Sequence, residues 1–194
     1  MKRIVTAEEF CQTFMAGVAL CVVDPKSHRT TCWGDRLRDV SESVPKLREL
    51  MLAEKTGYLA ELARALELSH RTDYGLLDAV FYEKREAVST ATGADLSDRL
   101  VVAIEYENGA SASSAAVSRL SMLNVPLKVL ITYPTERGDM PRLLDDYAYL
   151  LRRKEGLEKS SLTSQYVAIF GFTAPQEIRF GYSIYRDGSF APWS

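Results

Sequence analysis

With 194 residues and 21.7 kDa, of which 46% are hydrophobic and 26% charged, the chain has the composition of one globular domain able to bury about 70% of its unfolded surface. A formal charge of -2 at pH 7 and a pI near 5.8 exclude a globally basic nucleic-acid binder, so contact with DNA needs a local basic face. Cys11, Cys21 and Cys32 form no CxxC pair and predict buried, reduced thiols in place of a disulfide framework or a zinc site. The apolar stretch FMAGVALCVV (14 to 23) is too short to span a bilayer, and the TAEEF before it is acidic where a signal peptide is basic. The expectation is a cytoplasmic protein with no membrane partner.

The first third of the chain predicts mainly helix. Thr6 and Glu9 have capping-box spacing at the head of AEEFCQTFMAGVAL, and Phe10, Phe14 and Met15 fall on one helical face. DPKSHRT (24 to 30) supplies Asp-Pro turn chemistry. From Ser43 to Leu68, the residues Leu47, Leu50, Met51, Tyr58, Leu59, Leu62, Ala65 and Leu66 recur at helical spacing. Pro45 stands where a first turn tolerates it, and Gly57 is the point at which this helix bends or breaks.

At SHRTDYG (69 to 75) the hydrophobic period changes from helical to strand-like. LLDAVFYEK (76 to 84) predicts a strand, EAVSTATGADLSD (86 to 98) a weaker strand and loop, and RLVVAIEYE (99 to 107) the strongest strand of the chain. NGASASS (108 to 114) reads as a small-residue turn before an amphipathic helix, AAVSRLSML, and PLKVLITYP (126 to 134) as a further strand. Strand, helix and strand within about 35 residues is the size of a right-handed βαβ crossover joining parallel neighbours. A helix over 140 to 160 and strands QYVAIFGF and IRFGYSIYRDG, the last closing on an Asp-Gly turn, complete one α/β domain.

Side chains alternate along a strand, so Val101, Ala103, Glu105 and Glu107 share one face and Val102, Ile104 and Tyr106 the other. Two carboxylates at the end of a run apolar enough to be buried need pairing, protonation or a cation. Asp78 is set in a similar run, between Leu76-Leu77 and Ala79-Val80-Phe81, where propensity and solvation both disfavour it. If the two strands are neighbours, three carboxylates converge, a set of hard oxygen ligands suited to Mg²⁺ or Mn²⁺. Asp73, just before the strand, is the rival for the role of Asp78.

The order helix, Asp-bearing strand, Glu-x-Glu strand, helix, strand resembles the core of the PD-(D/E)xK superfamily, the fold of many type II restriction endonucleases and repair nucleases. The likeness covers about residues 45 to 134, with 1 to 44 as a helical N-terminal extension and 140 to 194 as a C-terminal helix and strands. It implies a restriction endonuclease-like core with a mixed central sheet flanked by helices. It also implies Asp78 and Glu105 as metal ligands with the Tyr106 backbone carbonyl, hydrolysis of phosphodiester bonds in DNA, and Mg²⁺ or Mn²⁺ as cofactor. Asp78 and Glu105 are 27 positions apart, a separation the family's loops allow.

Two features depart from the family pattern. No Pro precedes Asp78, and Glu107 stands where the family usually has Lys. Glu107 is then a further metal ligand or a general base toward water. The missing positive charge falls to Lys128 on the following strand or Arg119 on the intervening helix. Glu61, and after it Glu54, offers a further acid one helix ahead of the Asp strand.

Each assignment has an ordinary alternative: solvated acids on an edge strand for Glu105 and Glu107, a solvated helix face for Glu61, and surface cations for Arg119 and Lys128. The basic run LRRKEG (151 to 156) complements a helix C-terminus more readily than it marks a DNA-binding face. His28 and His70 fall in polar turns. Two functions stand at this point: a nuclease-like protein cutting or binding DNA, with twofold pairing into a homodimer usual for such enzymes that cut both strands, and a catalytically inactive nuclease-fold protein acting as a binding or assembly module.

Overall fold

A computed structural model of the chain describes residues 3–19, 21–23, 30–39, 44–83, 99–134, 136–155, 164–174 and 177–192. The elements in order are α1 (Ala7–Ala19), β1 (Cys21–Val23), β2 (Thr30–Cys32), α2 (Trp33–Asp39), α3 (Val44–Leu52), α4 (Tyr58–Ala65), β3 (Ser69–Tyr74), β4 (Leu77–Tyr82), β5 (Leu100–Glu107), α5 (Ala110–Ser121), β6 (Leu127–Thr132), α6 (Met140–Glu155), β7 (Gln165–Ala174), β8 (Glu177–Arg186) and β9 (Ser189–Phe190). The expected turn at 24 to 30 and the weaker strand at 86 to 98 fall almost wholly outside the described residues.

Strands β3 to β9 form one seven-stranded sheet in sequence order, with β1 and β2 as a separate antiparallel pair. β3, β4 and β5 run antiparallel to one another, β5, β6 and β7 run parallel, and β8 and β9 return antiparallel. The predicted βαβ unit is β5–α5–β6, whose strands pair from Val102 with Leu127 to Glu107 with Thr132. The architecture is therefore mixed α/β, with a mixed sheet flanked by helices.

Two apolar layers follow from the alternation along the strands. On one face Val102, Ile104, Tyr106, Val129 and Ile131 pack against Phe10 and Phe14 of α1, Leu37 of α2, Met51 of α3 and Leu59 of α4. On the other, Val80, Ala103, Leu130 and Ala168 pack against Ala116, Val117 and Leu120 of α5 and Leu143, Tyr147 and Leu151 of α6. β5 is buried from Leu100 through Tyr106, and β6 along its whole length. This continuous burial is what parallel strands covered on both sides require.

Local chemistry sets most boundaries. Thr6 accepts the Glu9 N–H at 3.1 Å, the first half of the predicted capping box. Asp187 (φ 51°) and Gly188 (φ 82°) turn β8 into β9 with two positive-φ residues, as a type I′ loop demands. Gly75 (φ 65°) does the same work between β3 and β4. His70 accordingly lies in strand β3, not in a turn.

Two further sequence expectations are corrected, and the break expected at Gly57 is present. The helix of 43 to 68 is two helices, α3 and α4. The chain folds back at Gly57, whose N–H bonds to Ala53 O at 2.8 Å and whose carbonyl receives the N–H groups of Ala60 and Glu61. α5 starts at Ala110, so most of NGASASS is helix, because Ala and Ser runs follow the helix once Gly109 has opened it. Cys11 is a buried free thiol as expected, whereas Cys32 is disulfide-bonded and lies opposite Cys21 in the β1–β2 ladder.

Gly57 carries a steric demand that can be measured. A Cβ there meets Ala53 N at 2.5 Å and Ala53 O at 2.6 Å, both backbone atoms that cannot swing aside. Gly57→Ala is expected to cost about 1–3 kcal/mol, seen in urea unfolding as a lowered midpoint with an unchanged slope. A midpoint within error of the parent protein counts against this close approach.

Candidate functional site

The acids of β4 and β5 meet where the β4–β5 ladder ends. That ladder runs to the pair Ala79–Ile104, and beyond it the Asp78 side chain takes over as acceptor, with Oδ2 receiving the Tyr106 backbone N–H at 2.8 Å. Asp78 shares its face with Val80, and Glu105 shares its face with Ala103, so both carboxylates lie on the α5 side of the sheet. The rival Asp73 is exposed and in the left-handed region at φ 50°. It is Asp78 that the fold brings to the glutamates.

Glu105 is the most deeply placed ion of the site, with 1% of its surface exposed. Its two oxygens receive Arg119 Nε at 2.8 Å and Nη2 at 3.1 Å. The same Nη2 reaches Glu107 Oε1 at 2.9 Å. One guanidinium therefore clamps both glutamates, with a two-point contact on the buried one, the geometry that makes Arg–carboxylate pairs strong. From the other side of the sheet, Arg48 of α3 donates Nη1 to the Tyr106 carbonyl at 3.2 Å and pairs with Asp78 Oδ1. Its guanidinium also lies 5.8 Å from the Tyr106 ring centroid.

Burial holds the Glu105 carboxyl above its ordinary value of 4.5; the Arg119 contacts pull it back, and the adjacent Asp78 pushes it up again. Arg119 is held still more firmly protonated, first by its hydrogen bonds to Glu105, with burial opposing and the charge of Glu105 and the contact with Glu107 adding to the hold. The site is thus three carboxylates against two guanidinium groups, with Glu105 buried and both arginines partly open to solvent. A further polar group faces it: Thr132, fully buried, is the Cα partner of Glu107 across the β5–β6 ladder. Its Oγ1 has no hydrogen-bond partner among the described residues, a state that costs about 1–3 kcal/mol.

The remaining sequence candidates lie elsewhere. Glu61 accepts the Trp33 indole N–H at 2.5 Å and faces Arg64 at 3.9 Å, a structural pairing on the α4 side. Glu54 is an exposed residue of the 53–57 connection whose carbonyl contacts His70. Lys128 is no surface cation: it is 3% exposed, its Nζ donates to Tyr166 OH at 2.9 Å, and it lies 4.6 Å from that ring's centroid. Lys128 pairs with Ala103 across the ladder while Glu105 pairs with Leu130, so it stands one pleat away from the acids. Arg152 of the basic run donates to Gly188 O at 2.5 Å and pins the β8–β9 turn.

Sequence reasoning missed Arg48 and Thr132. Arg48 sits 30 positions from Asp78 on a helix whose register carries no hint of where its flank points. Thr132 did leave a signal, as a polar residue closing the buried run LKVLIT.

Oxygen donors alone gather here: the carboxylates of Asp78, Glu105 and Glu107 and the carbonyl of Tyr106. Hard oxygen is the donor type that Mg²⁺ and Mn²⁺ take. The arrangement as it stands is closed by the two arginines, and among the described residues no group of three His, Cys, Asp or Glu side chains is placed to hold a metal ion. Nor is any helix among them long and apolar enough to cross a membrane.

No family model matches the chain, and a search of the curated proteins finds no match. Among solved structures it is similar to the central domain of yeast acetyl-CoA carboxylase at 12% identity and a TM-score of 0.35, covering 95% of this chain. The chain spans 33% of that structure's length.

The Glu105–Arg119 pair has a measurable signature. Because the folded protein favours the protonated form of Glu105, its contribution to stability is full below the unfolded value near 4.5 and is lost as pH rises through the folded value. Removing the guanidinium raises the folded value further. Arg119→Met is therefore expected to lose about 3 kcal/mol near pH 7.5, at the low end for a broken buried pair because Arg119 itself reaches solvent. The deficit should shrink as pH falls toward 5. Urea unfolding across that range checks it, and a deficit that is flat with pH or grows on acidification contradicts the assignment.

Proposed function

We propose that this protein is a metal-dependent nuclease-like protein that hydrolyses phosphodiester bonds in DNA, resembling the PD-(D/E)xK enzymes with Glu-x-Glu in place of the usual acid-x-Lys. The observation that carries the reading is the meeting of Asp78 on β4 with Glu105 on β5, locked by the Asp78–Tyr106 N–H bond at 2.8 Å. The antiparallel β3–β4–β5 meander followed by the β5–α5–β6 crossover supports it as well.

In this reading Asp78, Glu105 and the Tyr106 carbonyl would hold the cation. A bound Mg²⁺ or Mn²⁺ would supply Lewis-acid polarisation of the phosphate and a more acidic water. Glu105 is the fixed member, anchored by burial and by Arg119. Glu107, with 21% of its side chain exposed, is the member that water can reach, and it would accept the proton of the attacking water. Asp78 is oriented by the Tyr106 N–H, and Arg48 and Arg119 supply the positive charge that a Lys at position 107 does not. Two such sites in a twofold pair of chains serve the two strands of a duplex.

A second reading, a catalytically inactive nuclease-fold module for binding or assembly, is favoured by one feature: each of the three carboxylates already has a guanidinium partner. Thermal melting separates the two. With Mg²⁺ or Mn²⁺ at about 100 times its dissociation constant the melting point of a metal-binding protein rises by about 5–10 °C. Glu105→Gln should abolish that rise together with Mn²⁺-dependent nicking of plasmid DNA. A protein whose melting point is indifferent to both ions and that leaves plasmid and single-stranded DNA intact is the inactive module.

A further inference from the structure

His70 is a titratable side chain with no part in the acid cluster. It stands on β3, the strand at one end of the sheet order, opposite Phe81 of β4, with the two rings edge to face at 5.8 Å. Its Nδ1 lies 3.2 Å from the Glu54 carbonyl oxygen. A carbonyl only accepts, so Nδ1 carries the proton and donates it. Nε2 of the neutral ring is then a bare acceptor, buried and without a hydrogen-bond partner among the described residues.

That one bond joins the sheet edge to the connection between α3 and α4. Glu54 follows Ala53, whose N–H continues α3 by bonding Glu49 O at 2.9 Å and whose carbonyl takes the Gly57 N–H at 2.8 Å. Glu54, Lys55 and Thr56 are exposed, so they offer little apolar contact to hold the connection down. The helix that ends here, α3, carries Arg48 over the acid cluster.

A second proton on the ring finds no acceptor. It creates a buried N–H at Nε2 and a charge in a half-buried place, both costly without a partner. Burial accordingly lowers the His70 pKa from its ordinary 6.5, and the Glu54 carbonyl and the Glu54 charge pull it only part of the way back. Other charges on the surrounding elements are engaged elsewhere. Glu83, beyond Phe81 on β4, takes the Arg3 N–H, Glu9 of α1 pairs with Arg3, and Arg64 of α4 reaches Glu61 and the Lys55 carbonyl. On β3 itself Arg71 alternates to the opposite face beside Tyr74, and Asp73 is exposed.

We propose that His70 is an acid-released pin: neutral, it holds the α3–α4 connection to the sheet edge through the Glu54 carbonyl, and once protonated its ring leaves for solvent and the connection opens. An end strand gives the ring an outward path that a strand flanked on both sides denies it. The pin's contribution to local stability is full above the unfolded value of 6.5 and is lost as pH falls through the lower folded value. The inference does not depend on what the acids of β5 bind.

Amide hydrogen exchange on the full chain tests this, read as protection factors so that the intrinsic effect of pH on exchange cancels. Between pH 7 and 5.5 the protection of the Ala53 and Gly57 amides should fall about fivefold, within the roughly tenfold per pH unit that one coupled proton allows. The Val129 amide in the middle of the sheet should keep its protection. His70→Asn, whose side-chain amide can donate to the Glu54 carbonyl and does not titrate, should remove the pH dependence, whether its connection stays closed or stands open. Wild-type protection at Ala53 and Gly57 that changes by less than about twofold overturns the pin. So does a loss that Val129 shares, which is global unfolding, or one that His70→Asn retains.

Discussion

The buried carboxylate of Glu105, and the guanidinium that answers it, is the constraint around which the end of the sheet is organised. A carboxylate with 1% exposure is tolerable only with a close, well-oriented counter-charge, since desolvation costs several kcal/mol. The fold delivers that charge by the shortest available route. α5 leaves β5 at Ala110 and runs back along it, and helix side chains lean toward the N-terminus. Arg119, near the last turn of α5, therefore reaches back over the sheet to the acid 14 positions earlier. The crossover that makes β5 and β6 parallel neighbours is the same element that neutralises the acid between them.

The two arginines arrive from opposite layers. Arg119 comes from α5, whose apolar side packs with α6, and Arg48 from α3, whose Leu47 and Met51 belong to the layer of α1, α2 and α4. They converge at the carboxyl end of β5, on the carboxylates of Asp78, Glu105 and Glu107 and the Tyr106 carbonyl. The cluster thus ties both helical layers to one strand end, and to the β3–β4 hairpin through Asp78. A change at any one of these charges is felt by elements on both sides of the sheet. The carboxyl edge of parallel strands, where such a cluster sits, is also where ligands of α/β sheets bind.

What the sequence disclosed followed from periodicity and local chemistry. Alternation in VVAIEYE placed Glu105 and Glu107 on one face, the strand-helix-strand spacing gave the β5–α5–β6 crossover, and the Asp-Gly pair gave the β8–β9 turn. What stayed hidden depended on contacts distant in sequence. Nothing local to α3 tells that Arg48 folds over the end of β5, and nothing in PLKVLITYP tells that Lys128 is buried against Tyr166, because a lysine in an apolar strand takes its partner from whichever strand lies beside it. The break at Gly57 was visible as a glycine, but its depth was not: its cause is the approach of the Ala53 backbone. Cys32 likewise followed the β1–β2 pairing, which periodicity over three-residue strands is too short to reveal.

A glutamate at position 107 is consistent with this geometry. A cation at 107 and Arg119 together would crowd two positive charges over one buried carboxylate and leave the fork of Arg119 half used. With Glu107 in place, a single guanidinium is shared by two acids, one fixed by burial and one near solvent. The positive charge then sits on a helix side chain with several rotatable bonds, and not on the strand that carries the acids. A strand residue is held by its ladder on both sides and can serve only the position to which it points. A long side chain arching in from a neighbouring helix can instead span two acids at once, as Arg119 does with Glu105 and Glu107.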